Sequence, residues 1–158
     1  MRTRRSEHGF SLLEALIAIA ITATAFTAAA QLLMQASAAT RRARLVTRAA
    51  LLASSKMEEL ESLRYGVGED GADVQDDRLA ESPDRSLTDD LPDYCEWFDS
   101  AGRPIGVGQR PAGGFFARRW SIRALDDSGD VLALQVLVTT DAGPPLVTLR
   151  AIRMRLGG

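Results

Sequence analysis

Gly9-Phe10-Ser11-Leu12-Leu13-Glu14 opens a mostly apolar run over residues 9–34, and a short leader carrying Arg2, Arg4 and Arg5 precedes it. The run is long enough to cross a bilayer, whose hydrocarbon core takes about 20 helical residues. A carboxylate inside such a helix is costly. At mid-span an acidic residue is worth about +2.5 to +3.5 kcal/mol on insertion scales, whereas each Leu or Ile returns only about 0.3 to 0.6 kcal/mol. Glu14 lies near one end of the run, which reduces the penalty without removing it, so the carboxylate calls for a partner. A cut between Gly9 and Phe10 would supply one. The new amine at Phe10, on a neighbouring copy of the helix, can pair with Glu14, and a buried charge is tolerable when paired. Within one helix that pair is harder to make, although a carboxylate near a helix N-terminus also gains from the macrodipole.

The combination of a basic leader, Gly9, Phe10, Glu14 and a long apolar helix resembles the type IV prepilins and the pseudopilins of type II secretion. The resemblance implies cleavage after Gly9 by a membrane-embedded prepilin peptidase, which also methylates the new N-terminus at Phe10. It further implies that Phe10 and Glu14 register one subunit against the next, with other pilin or pseudopilin subunits, the inner-membrane assembly machinery and the lipid bilayer as partners. A single-pass inner-membrane protein with a periplasmic globular domain is expected, entering a pilus or pseudopilus after assembly. Within the family, Glu96-Trp97-Phe98-Asp99 and Arg118-Arg119-Trp120-Ser121-Ile122 are similar to minor pilins of the PilV type. Minor pseudopilin I is the close rival. A major pilin usually carries a disulfide-closed loop near its C-terminus, whereas this chain has only Cys95.

Two other readings of the N-terminus stand beside this one. A secretory signal would share the basic start and would be cut at a small-residue site such as Ala28-Ala29-Ala30, but a charge in its apolar region argues against it. An uncleaved anchor would keep the arginine leader. The pair Arg4-Arg5 suggests a twin-arginine signal, yet Glu7 and His8 stand where apolar residues would follow.

Beyond the apolar run the helix is expected to continue to about Arg64. Leu45, Ala49, Leu52, Ala53, Met57, Leu60 and Leu63 share one face at a period of 3.6, and Gly66 and Gly68 then stop it. A helix of about 55 residues would be roughly 80 Å long. Residues 66–92 read as an acidic surface loop that buries little. Strands follow, around Tyr94 to Phe98, then Phe116 to Ala124, then an alternation of Leu132, Leu134, Val136 and Val138. In the last strand the apolar parity changes between Val147, Leu149 and Ile152, Met154, Leu156, which suggests a bulge or a strand leaving its sheet. The expected fold is α+β and pilin-like: a long N-terminal helix packed on a small antiparallel sheet. Its divisions are 1–9 leader, 10–34 membrane or filament-core helix, 35–65 amphipathic helix, 66–92 acidic loop and 93–158 sheet domain.

The 158 residues carry a formal charge of −2, and removing a leader with three Arg and one Glu takes it to −4. Nothing points to nucleic acid. Arg41, Arg42, Arg44 and Arg48 cluster just past the apolar run, and the positive-inside rule would place them on the cytoplasmic side, against a prepilin orientation. The plainer reading is a solvated helix face. His8, the one histidine, belongs to the leader, so the mature chain would lack Ser-His-Asp, Cys-His and histidine-ligated zinc sites. No phosphate-binding glycine loop is present. Paired carboxylates in 66–92 have no framework fixing their separation, and no loop of alternating Asp with a closing Glu suggests calcium. No catalytic residue, metal or cofactor is assigned, and the chain is not expected to be an enzyme. Cys95 is read as a buried small apolar residue or a link to a partner, and Trp97 and Trp120 as core or cross-strand residues in preference to an exposed patch.

Overall fold

The structure, a computed structural model, describes residues 11–68, 72–140 and 143–155. The chain divides between Ala43 and Arg44 into two compact units. One helix, α1, runs Leu12–Ser62. Its sequence contains neither Gly nor Pro and is rich in Ala and Leu, the residues that lose least on entering a helix. Every described residue of the first unit is exposed.

In the second unit the end of α1 packs on a sheet. Ala49, Ala53, Met57 and Leu60 are buried, with Leu63 just beyond the helix and Leu45 and Leu52 partly covered. This is the stripe that the 3.6-residue period predicts. Two alanines with no exposed surface let the helix come close to the strands. The main sheet has five antiparallel strands in the order β4-β3-β5-β6-β7: β3 Cys95–Phe98, β4 Pro104–Val107, β5 Phe116–Ala124, β6 Val131–Thr140 and β7 Pro145–Met154. Phe98, Phe116, Trp120, Ile122, Leu132, Leu134, Val136 and Val138 form the core with the helix. The arrangement is α+β and pilin-like: the long N-terminal helix packs on antiparallel sheet.

Four local expectations change. The helix ends at Ser62, before the glycines, and Gly66 lies inside a short strand, β1 Tyr65–Val67. Its last turn has no basic residue. Arg153 of β7 supplies the cation, donating from Nη1 to the Leu60 carbonyl at 2.8 Å and from Nη2 to the Leu63 carbonyl, a satisfying position for a charge at a helix C-terminus.

The described residues of 66–92 carry more regular structure than a surface loop. β1 pairs with β2 Asp73–Gln75, and a 3-10 turn at Asp77–Leu79 buries Leu79 completely. Ser82 then fastens the segment to β5: its N–H and hydroxyl both donate to the Ile122 carbonyl, and its hydroxyl oxygen accepts from the Ile122 N–H at 3.0 Å.

β4 has no counterpart in the sequence reading, because Pro104 and Gly106 break the strand pattern. Both are compatible with an edge position. The expected irregularity in β7 is present, as a register shift between Val138↔Val147 and Thr139↔Pro145, but it lies before the parity change and does not cause it. Pairing with β6 is regular from Val131↔Met154 to Val138↔Val147. Ala151 and Arg153 occupy the helix-facing side, while Ile152 and Met154 are exposed on the other. Leu156 lies outside the described residues.

Candidate functional site

The expected cleavage and methylation residues, Gly9 and Phe10, lie outside the described residues. Glu14 is described. It is the acidic residue of the first turn of α1, exposed, and three positions after Ser11, the spacing of an N-terminal capping box. The first helical bond runs from the Ala15 N–H to the Ser11 carbonyl at 3.1 Å.

The surface around Glu14 is apolar. Leu12, Leu13, Leu16, Ile17, Ile19, Ile21, Phe26, Leu32, Leu33 and Met34 are each at least half exposed. A side chain of this kind gains about 1.5–3 kcal/mol when fully removed from water, so the surface needs a covering medium, either lipid or other helices. Three threonines interrupt it, and each satisfies itself. Thr22 donates to the Ala18 carbonyl at 2.7 Å, Thr24 to Ile21 at 2.8 Å and Thr27 to Ala23 at 2.8 Å. In a medium without water, hydroxyls must find such partners. Between residues 12 and 34 that leaves Glu14 and Gln31 as the polar side chains without an internal partner among the described residues. The sequence alone singles out Glu14. The threonine bonds are missed there, though their i−4 and i−3 geometry is a general property of helical threonine.

The second unit holds a different polar cluster, also missed from sequence. Arg118, on the helix-facing side of β5, lies opposite Glu96 in register. Its Nε donates to Glu96 Oε2 at 2.9 Å and its Nη1 to the Leu52 carbonyl at 2.7 Å and the Ser55 hydroxyl at 2.8 Å. Lys56 Nζ sits 3.0 Å from Glu59, 3.4 Å from Glu96 and 3.9 Å above the Trp120 ring. A cleft of about 440 Å3 opens beside these residues. Of the four carboxylates that line it, Glu59, Asp77, Asp93 and Glu96, two are held by Lys56, and with the Arg118 bonds the cluster reads as a clamp between helix and sheet. Arg118 occupies an apolar-parity position in β5, which is the signal that could have identified it.

Carboxylates of the acidic segment are engaged in the same way: Asp76 by Arg78, Asp84 by Arg123, Asp89 by Arg85 and Asp90 by Arg119. Among the described residues no group of three or more His, Cys, Asp or Glu is placed to hold a metal ion. Cys95 is fully buried. Burial, reinforced by Asp90 and opposed by Arg119, pushes its thiol up to about 12, so at neutral pH it is protonated and unreactive. Trp97 is also buried, and its indole donates to the Gly108 carbonyl at 2.8 Å; Trp120 belongs to the core.

An exposed apolar helix with one carboxylate in its first turn is what the leader pattern requires, and residues 4–30 match the family model for the prokaryotic N-terminal methylation motif. The chain carries the type IV prepilin and pseudopilin signal. No curated protein and no solved structure matches the chain. The prepilin signal implies processing by prepilin peptidase and association with other pilins. Together with an apolar helix long enough to span a bilayer, it indicates membrane anchoring.

Proposed function

We propose that the chain is a minor type IV pilin-like subunit, inserted in the inner membrane as a precursor with its sheet unit in the periplasm. Prepilin peptidase cuts after Gly9 and methylates Phe10, and the subunit then enters or primes a filament through α1. Its work is mechanical. Helices of successive subunits pack in the filament core, and the amine of Phe10 pairs with Glu14 of a neighbour. The reading is carried by one observation: the methylation motif leads directly into an exposed apolar helix whose hydroxyls are internally bonded, leaving Glu14 in its first turn with unmet hydrogen-bonding capacity.

N-terminal determination on membrane-extracted protein tests it. A methylated N-terminus at Phe10, seen only in cells containing the peptidase, is expected. A Gly9 substitution should block both shortening and assembly. An N-terminus at Ser6 or Gln31, or an intact arginine leader in peptidase-containing cells, refutes the reading. An assembly-competent Glu14→Ala variant refutes the registration role alone. Co-purification of the partner subunits identifies the machine served.

A further inference from the structure

Of the four arginines that cluster past the apolar run, one has a partner of its own: Arg48 donates to the Ser100 carbonyl at 2.6 Å. Arg41, Arg42 and Arg44 are exposed and have no hydrogen-bond or ion-pair partner among the described residues. Most of the chain's other described arginines are engaged, including Arg78, Arg85, Arg103, Arg118, Arg119, Arg123 and Arg153. A solvated face explains exposure, but it does not explain why three of the described arginines without a side-chain hydrogen-bond or ion-pair partner collect at this height on α1, Arg64 and Arg150 standing singly elsewhere.

That height is set by the helix rise. Residues 12–34 span about 34 Å at 1.5 Å per residue, enough to fill a hydrocarbon layer of about 30 Å. Arg41 and Arg42 follow about 10 to 12 Å later, close to the headgroup layer. Helical Cα–Cβ bonds tilt toward the N-terminus, so both stems lean back toward the apolar run. Long basic side chains reach an interface in this way. The turn between them and the hydrocarbon contains Ala36, Ser37, Ala38 and Ala39, which are too small to screen a guanidinium from neighbouring lipid. Thr40, the larger residue there, keeps its hydroxyl on the Ala36 carbonyl at 2.9 Å. The guanidinium fork suits phosphate oxygens geometrically, where an ammonium would act only as a point charge.

We propose that Arg41 and Arg42 bind the phosphates of anionic phospholipid headgroups where α1 leaves the bilayer, fixing the depth of the membrane-resident subunit. The proposal rests on the reading that the apolar part of α1 spans the membrane. It also accounts for a basic cluster on the side opposite the leader, because local headgroup phosphates neutralise it.

The full-length chain, reconstituted in phosphatidylcholine bilayers, would be titrated with spin-labelled phosphatidylglycerol and spin-labelled phosphatidylcholine, and compared with an Arg41→Gln/Arg42→Gln variant. The leader arginines are the same in both proteins, so the difference reports the two substituted positions. The native chain should favour phosphatidylglycerol, and the variant should lose about fivefold of that preference per arginine removed. Raising the salt should shrink the difference. A chain that resists carbonate extraction but shows no anionic preference, or a variant that retains it in full, overturns the lipid site while leaving the spanning helix intact. A native chain released by carbonate overturns both. Loss of a co-purifying acidic protein in the variant, with lipid preference unchanged, also overturns the proposal and assigns the arginines to a protein surface.

Discussion

Replacing Arg118 by Leu tests whether the buried clamp holds α1 on the sheet. The substitution removes the guanidinium bonds to Glu96, to the Leu52 carbonyl at 2.7 Å and to the Ser55 hydroxyl at 2.8 Å. Hydrogen bonds involving a charged group contribute about 1.5–3 kcal/mol each. Two effects offset the loss. Leu packs against Phe98, now 4.8 Å from the guanidinium, and returns about 1–2 kcal/mol; Glu96 retains Lys56 at 3.4 Å. The expected net loss is about 3–5 kcal/mol, the range for removing one partner of a buried pair. Adding Glu96→Leu removes the stranded carboxylate, and an apolar replacement of a buried pair is often close to neutral. The double variant should therefore recover about 1–2 kcal/mol relative to Arg118→Leu, despite leaving Lys56 with Glu59 alone. Urea titrations of the full chain in detergent micelles, followed by the fluorescence of buried Trp97 and Trp120, provide the four corners of the cycle. A loss below about 0.5 kcal/mol for Arg118→Leu, or strict additivity of the two substitutions, refutes the clamp.

Three further outcomes are expected. Gly114→Ala should cost about 1–3 kcal/mol by overpacking, because a Cβ there would lie 2.9 Å from Trp97 Cε3; an unchanged urea midpoint contradicts this. Cys95 should resist maleimide in the folded chain and react on unfolding, since it is buried and its thiol is raised to about 12; mass spectrometry of the labelled protein decides. Stability should fall in acid below about pH 4. Hydrogen bonds from the Arg103 N–H to Asp99, and from the Ser128 hydroxyl to Asp126, hold these carboxyls below the ordinary 3.8. Their contribution is therefore complete above the unfolded value and is lost as pH falls through the folded one. The urea midpoint of Asp99→Asn should start lower at pH 5 and vary less down to pH 2.

The helical stripe from Leu45 to Leu63 is legible in the sequence because a single period governs it, and β6 because Leu132, Leu134, Val136 and Val138 alternate without interruption. What escapes detection is long-range. Lys56 falls on the buried face of α1, but its apolar stem and two carboxylate partners become visible only when Glu96 is brought across from 40 residues away. Leu79 is a lone apolar residue in an acidic stretch, and no local pattern distinguishes it from an exposed one. β7 is misread for a related reason: Arg153 occupies an inward position that apolar parity assigns to a hydrophobic residue. At the candidate site, Glu14 stands out because a charge interrupts an apolar run. The self-bonded threonines beside it do not, since composition alone counts them as polar.

The bond from Arg153 to the end of α1 also bears on when the domain can close. Leu60 and Leu63 lie 93 and 90 residues before the side chain that donates to their carbonyls. A chain emerging N-terminus first therefore exposes the helix end long before its partner is made. Contacts of such sequence separation form late and slow the overall reaction. The final strand acts as a latch, so a chain truncated before residue 153 would carry a complete prepilin signal on a sheet unit that lacks its closing contact to the helix end, and it would be the more exposed to proteolysis.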